Sequence, residues 1–157
     1  MTTGQTTRLS ASSINPGFST EAVVADGKVW FDCLIAQTGH ELCSSDGTAQ
    51  GTGLVEDLRA GLTGSSPRQL AVVNGDVVVI ANDGVNGRSL FMVDQQGGLE
   101  LIYDAYSGAG NNSDAGAIGG LTITDTFAVF IALDGVSGNE LHAWNHISGS
   151  GEWIIWP

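Results

Sequence analysis

The side chains able to do chemistry are few and poorly grouped. His142 and His146 stand four residues apart, a spacing that on a helix turns two imidazoles toward one zinc ion. Here it falls on a strand that enters a turn, where the rings do not share a face as they do on a zinc helix. His40 sits beside Glu41 at the mouth of a hairpin. All three histidines read as surface residues. Two loops are nearly identical, Asp83-Gly84-Val85-Asn86-Gly87 and Asp134-Gly135-Val136-Ser137-Gly138, and Asp83, Asn86 and Asp134 with neighbouring carbonyls offer calcium a few oxygens. The carboxylate density is below that of a calcium loop, and hairpin turns select Asp-Gly for backbone conformation alone. Turn formation is the preferred reading and calcium at Asp83 and Asp134 the weaker one; no other metal or cofactor is expected. No nucleophile and no acid/base pair stands at a workable spacing, so the chain is expected not to be an enzyme.

Cys33 and Cys43, with nine residues between them, fall on what read as partner strands of one hairpin, symmetric about Thr38. Either a disulfide joins them, as suits an oxidising compartment, or both stay reduced as small buried hydrophobes. The bond is preferred. Among the four tryptophans, Trp30 lies in an apolar strand and reads as core, whereas Trp144, Trp153 and Trp156 crowd the end of the chain with Ile154 and Ile155. Such aromatics serve as stacking platforms for sugar rings or as anchors that dock one unit on another. Docking is preferred, with Trp144, Trp153, Ile154, Ile155 and Trp156 as the expected interaction residues.

These side chains sit in an acidic chain: seventeen Asp and Glu against five Lys and Arg give a net charge of −12, and Lys28 is the only lysine. Nucleic-acid binding depends on Lys and Arg neutralising phosphates, so that partner is excluded, and an anionic membrane surface with it. The same composition keeps a protein soluble and is common among secreted and salt-exposed proteins. No apolar run approaches a membrane span, and Met1 to Thr7 carry neither a basic start nor an apolar stretch, so neither membrane insertion nor a signal peptide in this sequence is expected. A mature fragment, or a protein exported by a C-terminal or leaderless route, reads the same way. The expected location is extracellular or at the cell surface.

The elements that position these residues repeat. Ala25-Asp26-Gly27-Lys28-Val29-Trp30-Phe31-Asp32-Cys33, Val73-Asn74-Gly75-Asp76-Val77-Val78-Val79-Ile80-Ala81 and Thr124-Asp125-Thr126-Phe127-Ala128-Val129-Phe130-Ile131-Ala132 align without a gap, at offsets of 48 (Asp26 to Asn74) and 51 (Asn74 to Asp125). The register runs on into Gly39-His40-Glu41-Leu42, Gly87-Arg88-Ser89-Leu90 and Gly138-Asn139-Glu140-Leu141. Each unit reads as four strands. The first meets the second at Asp26-Gly27 or Asn74-Gly75, dipeptides that accept the positive φ values of a type I′ turn. Val77 to Ala81 and Ala128 to Ala132 run apolar on both faces, the pattern of a strand covered on both sides. The fourth strands are expected at Leu54 to Leu58, Leu101 to Tyr103 and Trp153 to Trp156, and residues 7 to 14 read as a fourth-strand remnant of a preceding unit.

The fold expected is all-β, with tandem four-stranded antiparallel units arranged like three blades of a propeller; a β-sandwich or a trefoil-like arrangement is the alternative. Residues 1–157 form one repeat domain: a strand remnant at 1–20, copy one at 21–66, copy two at 67–116 and copy three at 117–157.

Glu41-Leu42-Cys43-Ser44-Ser45-Asp46-Gly47-Thr48-Ala49-Gln50-Gly51-Thr52, followed by Leu54-Val55-Glu56-Asp57-Leu58, resembles the ELWxxDGTxxGT repeat of bacterial proteins. Cys43 stands where that family has Trp, and copies two and three keep fragments, Leu90-Phe91 with Asp94 and Glu140-Leu141 with Asn145. The resemblance implies a propeller-like repeat of a large surface-associated or secreted protein, and no catalytic residues. The function expected is therefore a structural or interaction module that assembles with itself, as a ring or a filament, or docks on a larger extracellular assembly. A carbohydrate-binding lectin formed by oligomerised blades is the rival.

Overall fold

The computed structural model describes residues 14–16, 21–94, 96–108, 115, 120–146 and 153–154. Among them there is no helix; every named element is a strand, and every strand pairing is antiparallel. The first sheet holds β1 (Ile14–Pro16), β2 (Ala22–Ala25), β3 (Lys28–Ile35), β4 (Gly39–Ser45) and β5 (Thr52–Leu54). A second holds β6 (Arg68–Val73), β7 (Asp76–Asn82), β8 (Arg88–Val93) and β9 (Leu99–Tyr103), and a third β10 (Thr122–Ile123), β11 (Phe127–Leu133), β12 (Asn139–Asn145) and β13 (Trp153–Ile154). The protein is all-β, in the propeller-like or sandwich manner that its strand pattern predicts.

The pairing registers carry the repeat. Leu34 faces His40, Asn82 faces Arg88 and Leu133 faces Asn139, three pairs related by the offsets of 48 and 51 found in the sequence. Asp26 and Gly27 take φ of 50° and 70°, Asn74 and Gly75 of 52° and 98°, so both dipeptides make the tight turns between first and second strands that their residue types favour. In copy three the corresponding turn is held differently. The Thr124 hydroxyl accepts the backbone N–H groups of Thr126 and Phe127 at 3.3 and 2.9 Å.

Three details depart from the expectation. Residues 14–16 do not belong to another unit but lie along β3, with Ile14 opposite Ile35, which makes the first sheet five-stranded; residues 7–13 lie outside the described residues. The fourth strand of copy one is Thr52–Leu54, not Leu54 to Leu58. The chain leaves the sheet because Val55 and Leu58 pack instead against the core between the first two sheets. Finally, the β3–β4 register centres on Gln37, not Thr38, since Ile35 pairs with Gly39.

The sheets stack in chain order. Side chains alternate between the faces of a strand, and Ala25, Trp30 and Leu42 on one face of the first sheet meet Leu70, Val77, Val79, Ala81 and Phe91 of the second. The opposite face of the second sheet, with Val73, Val78, Ile80 and Leu90, meets Ala128, Phe130, Ala132 and Trp144 of the third. The middle sheet is thus covered on both faces.

Candidate functional site

Several of the chemistry-bearing residues singled out by the sequence are engaged in holding the fold. Cys33 and Cys43 form a disulfide with Cα atoms 5.8 Å apart, within the reach such a bond requires. They are diagonal neighbours on adjacent strands, because Cys33 faces Glu41 and Cys43 faces Phe31. Asp83 turns its carboxylate back on its own loop, accepting the N–H groups of Val85 and Asn86 at 2.9 and 2.7 Å. Asp134 does the same for Val136 and Ser137 at 2.8 and 2.7 Å, and those two donors hold its carboxyl below the usual carboxylate range. No group of three or more His, Cys, Asp or Glu side chains is poised around a metal position among the described residues.

The histidines separate. His40 pairs with the Asp32 carboxylate at 3.1 Å, and His146 lies beside Asn74 at 3.1 Å. His142, expected at the surface, is buried. Strand alternation puts it on the same face as Trp144, toward the second sheet, where its Nδ1 meets the Tyr103 hydroxyl at 2.7 Å and its ring stacks on Phe130. Burial raises the Tyr103 phenol above its ordinary range.

Glu41 is a carboxylate that sequence reasoning passed over. It is fully buried and accepts hydrogen bonds from the backbone N–H groups of Ser65, at 2.8 Å, and Arg59, at 3.3 Å, and from the Ser65 hydroxyl. Desolvation nevertheless outweighs these donors and raises its pKa. Its chemistry is that of a clamp, fastening the connector after copy one to the first sheet. The Asp46-Gly47-Thr48 segment is likewise spent on a turn: Asp46 accepts from the backbone and hydroxyl of Thr48, both at 2.8 Å, and Thr48 accepts from the Gly51 N–H at 3.0 Å. A Cβ on Gly51 would overlap the Asp46 carboxyl, so a larger residue there would displace that carboxyl from the turn.

Two clefts open between successive sheets. The larger, about 710 Å³, is lined by Lys28, Trp30, Asp26, Asp76, Asp94 and Glu100 among others; the Lys28 ammonium lies 5.7 Å from the centre of the Trp30 ring. The smaller, about 420 Å³, is bordered by Trp144, Asn74 and His146. Neither gathers a nucleophile and a base.

What remains is surface. Trp144, expected among the exposed interaction residues, belongs at 8% exposure to the core between the second and third sheets. Trp153 and Ile154 form β13, paired with Trp144 and Ala143, while Ile155 and Trp156 lie outside the described residues. The outward face of the third sheet is instead made by Phe127, Val129, Ile131 and Leu133 of β11 with Leu141 and Ala143 of β12, as the alternating burial of both strands shows. Leu42 and Leu90 are 0% exposed, but Leu141, their counterpart in copy three, is 63% exposed. The signal was present in the sequence. A leucine recurs at this position in all three copies, and the third copy carries it on an exposed face among other apolar residues.

The chain matches no protein-family model, and neither a curated protein nor a solved structure is similar to it. The likeness of residues 41–58 to the bacterial ELWxxDGT repeat rests on those residues alone.

Proposed function

We propose that this protein is a non-enzymatic interaction module, and that it works by assembling through the apolar face that its third sheet leaves exposed. The observation that carries the reading is the exposure of Leu141, at a position where the same leucine is sealed in both other copies. An apolar sheet face of this kind marks a contact surface. The buried Cys33–Cys43 disulfide supports an oxidising, extracellular setting, and the resemblance to repeats of surface-associated bacterial proteins agrees with it. Asp83 and Asp134 are taken up in turns, Glu41 in a clamp and His142 in a core pair.

Sedimentation velocity at micromolar concentration tests the proposal. Wild-type protein is expected as multiples of the 16.2 kDa chain, and Leu141→Asp as a folded monomer with an unchanged far-UV spectrum. A wild type that remains monomeric at tens of micromolar, with Leu141→Asp indistinguishable from it, overturns the reading.

A further inference from the structure

The middle copy holds two Asn-Gly pairs, Asn74-Gly75 and Asn86-Gly87, in unlike surroundings. Asparagine is thermally labile, most of all before glycine, because a residue without a Cβ leaves its backbone nitrogen open to the preceding side chain. Asn86 is half-buried and gripped by one carboxylate: its backbone N–H and its Nδ2 both donate to Asp83, each at 2.7 Å. An acid formed there would face the Asp83 carboxylate. Asn74 is exposed at the tip of the β6–β7 hairpin, and its Nδ2 donates to His146, to the ring Nδ1 at 3.1 Å and to the carbonyl at 3.3 Å. Among the described residues the Gly75 N–H meets no acceptor, and a Cβ built on Gly75 would find nothing within 4 Å. The backbone nitrogen is unengaged, the space around it is open, and a hairpin tip of this kind moves locally without unfolding the sheet.

We infer that Asn74 is a site of spontaneous deamidation in the folded protein, and that its conversion releases the turn of copy two from His146 of copy three. The Gly75 nitrogen gives its proton to solvent and attacks Asn74 Cγ. The new C–N bond closes a succinimide ring while the Cγ–Nδ2 bond breaks, and Nδ2 takes a solvent proton and leaves as ammonia. Water then opens the ring. Cleavage at Cγ gives aspartate, and cleavage at the main-chain carbonyl gives isoaspartate, in which the chain runs through the former side chain. Water is consumed, ammonia is released, and nothing is oxidised or reduced.

The aspartate product suits the turn. At the repeat positions of Asn74 the other copies carry Asp26 and Asp125, and Asp26 takes a φ of 50° where Asn74 takes 52°. The contact with His146 is lost. His146 Nε2 donates to the Thr124 carbonyl at 3.1 Å, so in alkaline buffer, where imidazole is neutral, Nδ1 is an acceptor and a carboxylate has no proton to offer it. The new charge also enters the cleft of about 420 Å³ that Asp76 and Glu100 line, where like charges repel.

Folded protein incubated in warm alkaline buffer made with isotope-labelled water, then mapped by proteolysis and mass spectrometry, tests the site. Label is expected at Asn74 about tenfold faster than at Asn86, the factor that one hydrogen bond to a charged group accounts for. In denaturant the two pairs should convert at comparable rates, because only folding separates them. Equal rates in the folded protein, or faster conversion at Asn86, overturn the inference. So does a folded chain that keeps Asn74 intact while the denatured chain loses both asparagines. The converted fraction, separated by anion exchange, and the variant Asn74→Asp are both expected to show displaced His146 ring signals by NMR, with those of His40 unmoved. A converted fraction whose His146 signals match the starting protein overturns the release.

Discussion

The second and third sheets are built from the same strand pattern and meet different surroundings. β7 runs Val77-Val78-Val79-Ile80-Ala81 and all five residues are buried; β11 runs Phe127-Ala128-Val129-Phe130-Ile131-Ala132-Leu133, and its burial alternates residue by residue. Composition suits both strands to burial on two faces, but among the described residues only β7 is packed between two sheets. The difference teaches that a repeat's sequence records how many faces a unit is able to bury, and that an apolar face left over marks where the next unit belongs.

Equivalent leucines turn that comparison into numbers. Leu90→Ala removes a side chain sealed between the second and third sheets and is expected to cost about 2–5 kcal/mol, the transfer term plus a cavity. Leu141→Ala, at the same repeat position but 63% exposed, should change stability by less than about 0.5 kcal/mol in dilute solution. Chemical denaturation of both variants below the association range provides the measurement. Equal losses would mean that the third sheet is covered on both faces and that the contrast is false.

The first sheet is the other end of the comparison, and it is secured by a covalent bond. Cys33 and Cys43 occupy the repeat positions of Ala81 and Phe91, which in copy two are pressed against the preceding sheet. In copy one both positions are also sealed, at 0% exposure, and a disulfide with a sequence separation of 10 ties the two strands. Closing so short a loop contributes about 2–3 kcal/mol through the unfolded state. Cys33→Ala with Cys43→Ala, or reduction by dithiothreitol, should lower the unfolding free energy by that amount in the isolated chain. Because the bond acts on the unfolded chain, the loss should be the same at low and high protein concentration. A loss that falls as the concentration rises would show that the bond acts through the folded state instead.

How much of this was legible in the sequence follows from the same physics. The Asn-Gly and Asp-Gly turns and the repeat offsets were readable because they depend on local φ preferences and constant spacing, whereas the β3–β4 register, centred on Gln37 and not Thr38, was one residue off. The disulfide followed from the hairpin, though as one of two options. The burial of His142 and Trp144 was not readable, since an aromatic on an alternating strand looks the same whichever face turns inward. Glu41 was missed because its partners, Arg59 and Ser65, lie 18 and 24 residues away in a connector without regular structure. The open face was obscured by its own composition, which is that of a core.

Glu41 sharpens the contrast between copies through pH. Its pKa in the folded chain is raised by burial, so the native state holds this proton more tightly than the unfolded chain does. The stability it contributes is complete below the ordinary glutamate pKa and is lost as pH rises through the raised value. Glu41→Gln keeps an acceptor for the backbone donors and removes the titration. Its denaturation midpoint is expected to be flatter than that of the wild type over the range just above pH 4.5. At the equivalent site of the middle copy stands Ser89, so Ser89→Ala should leave the pH dependence unchanged. A Glu41→Gln profile parallel to the wild type would show that the carboxyl does not titrate within this window.

The smallest effect is the one that isolates the cause. The loops Asp83-Gly84-Val85-Asn86-Gly87 and Asp134-Gly135-Val136-Ser137-Gly138 sit at the ends of the sealed and the open sheet, yet each aspartate accepts the same two backbone donors, at 2.9 and 2.7 Å in the first and 2.8 and 2.7 Å in the second. A carboxylate that caps its own loop acts locally, and its removal costs about 1 kcal/mol wherever the loop is attached. Asp83→Ala and Asp134→Ala should therefore lower stability by nearly equal amounts, in calcium and in EDTA alike, because both carboxylates already have backbone partners. If the leucines of the two sheets differ severalfold and these aspartates do not, the difference lies in what covers the sheets and not in how well the third copy is folded. An Asp134→Ala loss far smaller than that of Asp83→Ala would instead point to a third copy that is loosely formed, and the exposure of Leu141 would then mark fraying and not a docking face.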